Sequence, residues 1–363
     1  MGIAKDIQPE RTQWLDFMKG IAIIAVIADH VFWLFPQYLP AWLHPYTFFS
    51  VPLFVFLAGW TAALSYERHQ DDGIRGVLKR LPHILVPYVC AVFCCVWIRR
   101  PMLFDLTGFL KELFLFSASP PHYFVFFFLQ LMLIAPILYR LLVRRKKYDG
   151  IRIPACLLFL LAAAVWATFC TRTLPLHGGG AKLFGGFFLF HFALGMTAFR
   201  FRRFADSPAV TSAGFVIMTV LTLILKNNLD RFTGKFAETA ILGVNPSGLF
   251  YTIFTASVFF GVLFFRNIFL LLKRRVRLHP AFPEACAVPF IYCGRCSYMI
   301  FLFHMIPLTC IKKSGLELSF PSGPFTSILF TVFCTLSAVV FPVLMQRLGK
   351  GVREMLKQAG KET

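Results

Sequence analysis

WLDFMKGIAIIAVIADHVFWLF, running from Trp14 to Phe35, is a 22-residue stretch of almost unbroken apolar character. At about 1.5 Å of rise per residue, a helix of this length crosses the roughly 30 Å hydrocarbon core of a bilayer. No small-residue cleavage site follows it, so it reads as a retained span rather than a removable signal. It nevertheless carries four ionisable residues, Asp16, Lys19, Asp29 and His30. Each of them costs at least a few kcal/mol inside lipid and therefore needs a reason. At about 100° per residue, Lys19 and His30 lie ~20° apart around the axis and ~16 Å apart along it, and Asp16 lies ~40° from His30. Three of the four thus share one face, which is expected to point into a helix bundle. Asp29, ~100° away, is poorly placed to orient the imidazole directly. A structural reading also fits: Asp16 and Lys19 as an i,i+3 pair at the membrane surface, with His30 hydrogen-bonded to a neighbouring helix.

The rest of the chain follows the same pattern. Of its 363 residues, 58% are hydrophobic, only 15% are charged, and 45 are Phe. Mean hydropathy is +0.69. So apolar a composition excludes a disordered chain, a nucleic-acid module and an ordinary soluble enzyme, because that many exposed rings suit lipid and not water. Ten spans are expected, near 14–35, 46–66, 83–98, 122–142, 153–170, 183–201, 209–226, 248–272, 289–311 and 325–346. The third is short and contains Pro87. No internal repeat or soluble domain interrupts them. The expected fold is therefore all-α: a polytopic integral membrane bundle, one transmembrane domain over residues 1–363 with its membrane core at about 14–346. Chemistry is confined to the helices and their short loops.

The net charge of +20 invites a nucleic-acid reading, but its distribution argues against one. Basic residues sit in short clusters between apolar runs, such as Arg144-Arg145-Lys146-Lys147 and Lys273-Arg274-Arg275, which is how cytoplasmic loops are marked. With the N-terminus inside, 24 Lys and Arg fall in cytoplasmic segments and 10 in external ones. Both termini are therefore expected in the cytoplasm. Of the ten cysteines, seven lie in apolar runs as small hydrophobes, and Cys293-Gly-Arg-Cys296 lacks the partners a metal site needs.

Further polar residues interrupt later spans. His304 ends the stretch Cys293-Gly294-Arg295-Cys296-Ser297-Tyr298, then MIFLF, then His304. Ser297, seven residues earlier, shares its face within ~20°, whereas Arg295 projects to roughly the opposite side. His191 has no polar neighbour one turn away and reads as a packed or cavity-lining residue. His122, opening the fourth span, reads as an interfacial residue.

Taken in order, these segments resemble the membrane-bound acyltransferase family 3, whose members mostly O-acylate carbohydrates. The pattern Leu15-Asp16, then Lys19-Gly20, then His30 eleven positions after the basic residue is similar to the family's opening. Ser50 to Gly59, the segment from Lys79-Arg80 to Pro87-Tyr88, the helix opening at His122, and Gly294 to His304 resemble its later motifs in the same order. Departures are His83 in place of the second Arg of the Arg-x-x-Arg segment, Phe124 for a Trp, and Phe301 for a Tyr. The soluble hydrolase-like extension of many members is not expected here, so the membrane part alone would handle the acceptor.

The resemblance implies an acyl-CoA donor, acetyl-CoA by preference, used as a co-substrate from the cytoplasmic side. It implies an acceptor hydroxyl on a glycan, a lipid-linked sugar or a related cell-envelope molecule. No tightly bound cofactor, metal or nucleic-acid partner is implied, and a bacterial cytoplasmic membrane is the expected location. Under this reading His30 carries the chemistry, either as general base toward the hydroxyl or as an acyl relay. Asp16 and Lys19 line the polar face below it, and His304 with Ser297 forms a second wall. Arg75, Lys79, Arg80 and Arg295 are placed to bind the anionic donor. The competing class is a non-enzymatic exporter of an anionic or lipid-linked small molecule, which a polar seam in a bundle would serve equally; no inverted repeat supports it.

Overall fold

The computed structural model describes residues 10–38, 41–68, 73–99, 105–144, 152–173, 185–236, 249–276, 281–316 and 323–359. Among the described residues there is no strand. Thirteen α-helices follow one another among the described residues: α1 (Glu10–Leu34), α2 (Ser50–Arg68), α3 (Gly73–Arg99), α4 (Leu106–Phe114), α5 (Tyr123–Leu142), α6 (Arg152–Thr173), α7 (Leu189–Arg200), α8 (Pro208–Phe236), α9 (Leu249–Val276), α10 (Ala281–Arg295), α11 (Ser297–Phe303), α12 (Met305–Ser314) and α13 (Pro324–Ala359). A 3-10 turn over Ala41–Thr47 joins α1 to α2.

Each of the ten expected segments carries helix, but they are not equal. Among the described residues seven are long and apolar enough to cross a bilayer, and α10 with α11 and α12 makes an eighth if that pair, bent by 70°, is one span. α6 covers the segment near 153–170, and in the segment near 183–201 a 3-10 turn over Gly185–Phe188 leads into α7. The third segment is longer than expected. Its helix runs through Pro82 and Pro87 for 27 residues. The Tyr298 hydroxyl donates to the Ile84 carbonyl oxygen at 2.8 Å and so ties α11 to this helix between its two prolines.

α1 is the central rod, packed against α2, α9, α10, α11, α12 and α13. Two crossings bring backbones together without side chains between them. A Cβ on Gly20 would collide with the Phe290 carbonyl oxygen, and one on Gly294 with that of Asp16. As position rises on α1 it falls on α10, so the two run antiparallel through this contact. Gly59 on α2 and Gly195 on α7 repeat the device against the Phe192 and Phe56 carbonyl oxygens. Lipid supplies no hydrophobic drive between helices, and close backbone approach at small residues replaces it with dispersion contact. α8 and α9 pair differently: Gly214 and Gly261 receive the rings of Phe260 and Phe215, and Thr219 and Ser257 share a 2.8 Å hydrogen bond.

Outward faces are apolar and exposed, as on α8 (Val216, Ile217, Val220, Ile224) and α13 (Phe325, Ile328, Leu336), which fits a lipid solvent. α4 lies outside the ten expected spans. Asp105 caps it, accepting from the Thr107 and Gly108 amides at 3.0 and 2.9 Å. Phe109 and Leu113 pack inward, while Leu106, Leu110 and Phe114 form an exposed apolar stripe.

Candidate active site: a histidine pair inside the bundle

A part-buried polar contact joins the two histidines singled out by the sequence. His304 sits where α11 gives way to α12, fully buried. Its Nδ1 lies 3.1 Å from the Ile300 carbonyl oxygen and 2.9 Å from that of Phe301. Carbonyl oxygens only accept, so Nδ1 of the neutral ring carries the proton and Nε2 the lone pair. On α1, His30 Nδ1 lies 2.8 Å from the Val26 carbonyl oxygen, which by the same argument makes Nδ1 its donor. That N–H also faces His304 Nε2 at 3.3 Å. The rings meet edge to face, centroids 4.9 Å apart. The backbone contacts are consistent with an Nδ1–H tautomer on both rings, the one Nδ1–H of His30 being shared between the Val26 carbonyl oxygen at 2.8 Å and His304 Nε2 at 3.3 Å.

The other members of the expected polar face lie elsewhere along α1. Asp16 is fourteen residues below His30, about 21 Å along the axis. It meets Arg295, whose Nε lies 3.4 Å from its Oδ2, across the Gly20–Gly294 crossing. Lys19 lies within electrostatic reach of Asp16. Asp16, Lys19 and Arg295 thus form a second, charged group, separate from the histidine pair. Ser297 opens α11 and makes no side-chain hydrogen bond among the described residues. Of the basic residues near the start of α3, Arg75 and Lys79 are exposed and Arg80 stacks 5.3 Å from the Tyr66 ring centroid.

Two histidines take structural positions. His122, expected at an interface, is fully buried: its Nε2 donates to the Leu302 carbonyl oxygen at 3.3 Å and its ring stands edge-on to Tyr88. It ties the start of α5 to α11. His191 is buried and meets the Thr252 hydroxyl at 3.1 Å, a partner from α9 rather than from its own helix. No group of three metal-ligating side chains occurs among the described residues.

Asp29 has a setting that its sequence neighbours do not disclose. Its Oδ1 accepts from His44 Nε2 at 3.0 Å and from the Thr47 hydroxyl at 2.9 Å. Both partners belong to the turn after α1, 15 and 18 residues on. The charge within the span was the available signal; which loop residues would meet it was not readable.

A central helix bearing one of two paired histidines, in an all-helical bundle with several helices of membrane-crossing length, is the frame of a multi-pass membrane protein. The acyltransferase domain model matches residues 12–347, nearly the whole chain, which belongs to the acyltransferase family 3 and transfers acyl groups other than aminoacyl. No curated protein and no solved structure matches it.

Proposed function

We propose that this acyltransferase moves an acyl group, acetyl by preference, from cytoplasmic acyl-CoA to a hydroxyl of a glycan, lipid-linked sugar or related cell-envelope acceptor. His30 carries the transfer. The 3.3 Å contact between His30 Nδ1 and His304 Nε2 is the observation that supports this most. As Nε2 of His30 takes the proton of the attacking hydroxyl, the ring becomes an imidazolium whose Nδ1–H already points at the His304 lone pair. His304 thus orients the base and receives part of the developing charge, as a carboxylate does in a triad. The acceptor oxygen forms its bond to the thioester carbonyl carbon, the C–S bond breaks, and the proton leaves with the CoA thiol. An acyl relay uses the same lone pair: Nε2 attacks the thioester, CoA departs, and the acceptor hydroxyl then takes the acyl group.

Arg75, Lys79 and Arg80 supply cationic charge for the CoA phosphates, and Arg295 with Lys19 a second anion-binding group deeper along α1. In this reading both termini and the loop between α2 and α3 are cytoplasmic, and the membrane is the bacterial cytoplasmic membrane. The test is His30→Ala in purified protein, assayed by CoA thiol release from acetyl-CoA with glycan acceptors. A loss of roughly 10²- to 10⁴-fold is expected. Undiminished transfer removes His30 from the mechanism. Label retained on wild type but not on His30→Ala, after acetyl-CoA alone and rapid denaturation at neutral pH, where an acyl imidazole survives longer than in acid, identifies the relay.

A further inference from the structure

Asp29 is a carboxylate inside a membrane-spanning segment, half-buried, and outside the histidine pair. Such a charge persists in a span when it is paired or when it serves a ligand. Here the pairing is one-sided. Both hydrogen bonds, from His44 Nε2 and from the Thr47 hydroxyl, fall on Oδ1, while Oδ2 accepts none among the described residues. Its side chain retains 34% of its exposure. Aromatic rings flank its partner: His44 lies against Phe32 and Phe48, with centroids at 5.3 and 4.7 Å, and Tyr251 meets Phe48 at 5.4 Å.

We propose that Asp29 is the acceptor-binding residue of this enzyme: Oδ1 is anchored by His44 and Thr47, and Oδ2 receives the hydroxyls of a neutral, polyhydroxylated acceptor seated beside the rings that flank His44. A carboxylate oxygen with unused lone pairs is a strong acceptor for paired hydroxyls, and aromatic faces suit the C–H faces of a sugar ring. Oδ1 is already engaged by two donors, so the atom on offer to a ligand is Oδ2, a hydrogen-bond acceptor for hydroxyls. Asp29 and His30 are consecutive, about 100° apart around α1. A ring bound at Asp29 would therefore lie beside the position on α1 that carries His30. This inference rests on the acyl-acceptor reading above and adds where the acceptor binds.

The experiment measures equilibrium binding of 4-methylumbelliferyl glycosides (glucoside, galactoside, mannoside and N-acetylglucosaminide) to the full-length protein in lipid nanodiscs. The comparator is the same fluorophore carrying an aminoethoxy group in place of the sugar. At least one glycoside should bind wild type more tightly than the ammonium probe, and Asp29→Asn should weaken it by roughly 10- to 100-fold. Thr47→Val, which removes one donor from Oδ1 and keeps the side-chain shape, should weaken it a few-fold and carries the test if Asp29→Asn does not fold. His30→Ala should keep glycoside binding, so a failure of the catalytic reading does not erase the signal. Where transfer is measurable, the loss in Asp29→Asn should appear in the KM for the glycoside. Binding of no glycoside, tighter binding of the ammonium probe, or unchanged glycoside affinity in folded Asp29→Asn or Thr47→Val overturns the proposal.

Discussion

His30 and Lys19 stand eleven residues apart, and helical geometry alone placed them on one face. That arithmetic speaks of the face and is silent on distance, because a shared stripe on a helix can serve two sites. In the structure it does: the upper end of the stripe meets His304, and the lower end meets Arg295. The partner of each lies more than 270 residues away in sequence, so no local spacing could announce the contact. The motif around Ser297 and His304 pointed to a second wall, and only His304 enters the pair. The charged lower group gives a residue-scale prediction. Arg295→Gln should raise the KM for acetyl-CoA about tenfold and leave kcat within about twofold, the pattern of lost uniform binding. A fall in kcat with unchanged KM would instead place Arg295 with the reacting groups.

At the scale of elements, the glycines that shape the bundle were visible as letters and not as contacts. Gly59 and Gly294 fell within recognisable motifs, but their function is to let a partner backbone pass where a Cβ would overlap it. Gly294→Leu, or Gly20→Leu on the opposing helix, should force α1 and α10 apart. Overpacking of this kind costs about 1–3 kcal/mol, and a backbone-to-backbone overlap belongs at the upper end. Gly351→Ala, with nothing within 4 Å of the added atom, should hold or gain stability. Thermal unfolding in detergent compares the three, and equal melting temperatures would contradict the packing account. The bend at Cys296 and the short helix α4 were not legible. An apolar run looks the same straight or broken, and nine residues with a capping Asp105 read equally as loop.

For the whole molecule, long unbroken apolar runs decide the class, since in lipid they form spanning helices whereas a barrel's strands alternate apolar and polar residues. The count of ten spans is approximate: among the described residues seven helices, or eight with the bent pair, are long and apolar enough. The distribution of Lys and Arg predicts an orientation in which the loop holding Arg75, Lys79 and Arg80 faces the cytoplasm. In right-side-out spheroplasts, Lys79→Cys should resist a membrane-impermeant maleimide above the background of native thiols, and react once the membrane is opened. Labelling of intact spheroplasts would reverse the topology and with it the side from which donor is drawn.

The central claim is that His30 and His304 act as one unit. Thiol release from acetyl-CoA by purified wild type, His30→Ala, His304→Ala and the double variant, each verified as folded, tests it in a single cycle. The account predicts that His304→Ala alone slows turnover by about 10- to 100-fold and that the double variant is no slower than His30→Ala, since a residue acting through another contributes nothing once that other is gone. Losses that multiply, or a His304→Ala enzyme as fast as wild type, would contradict it.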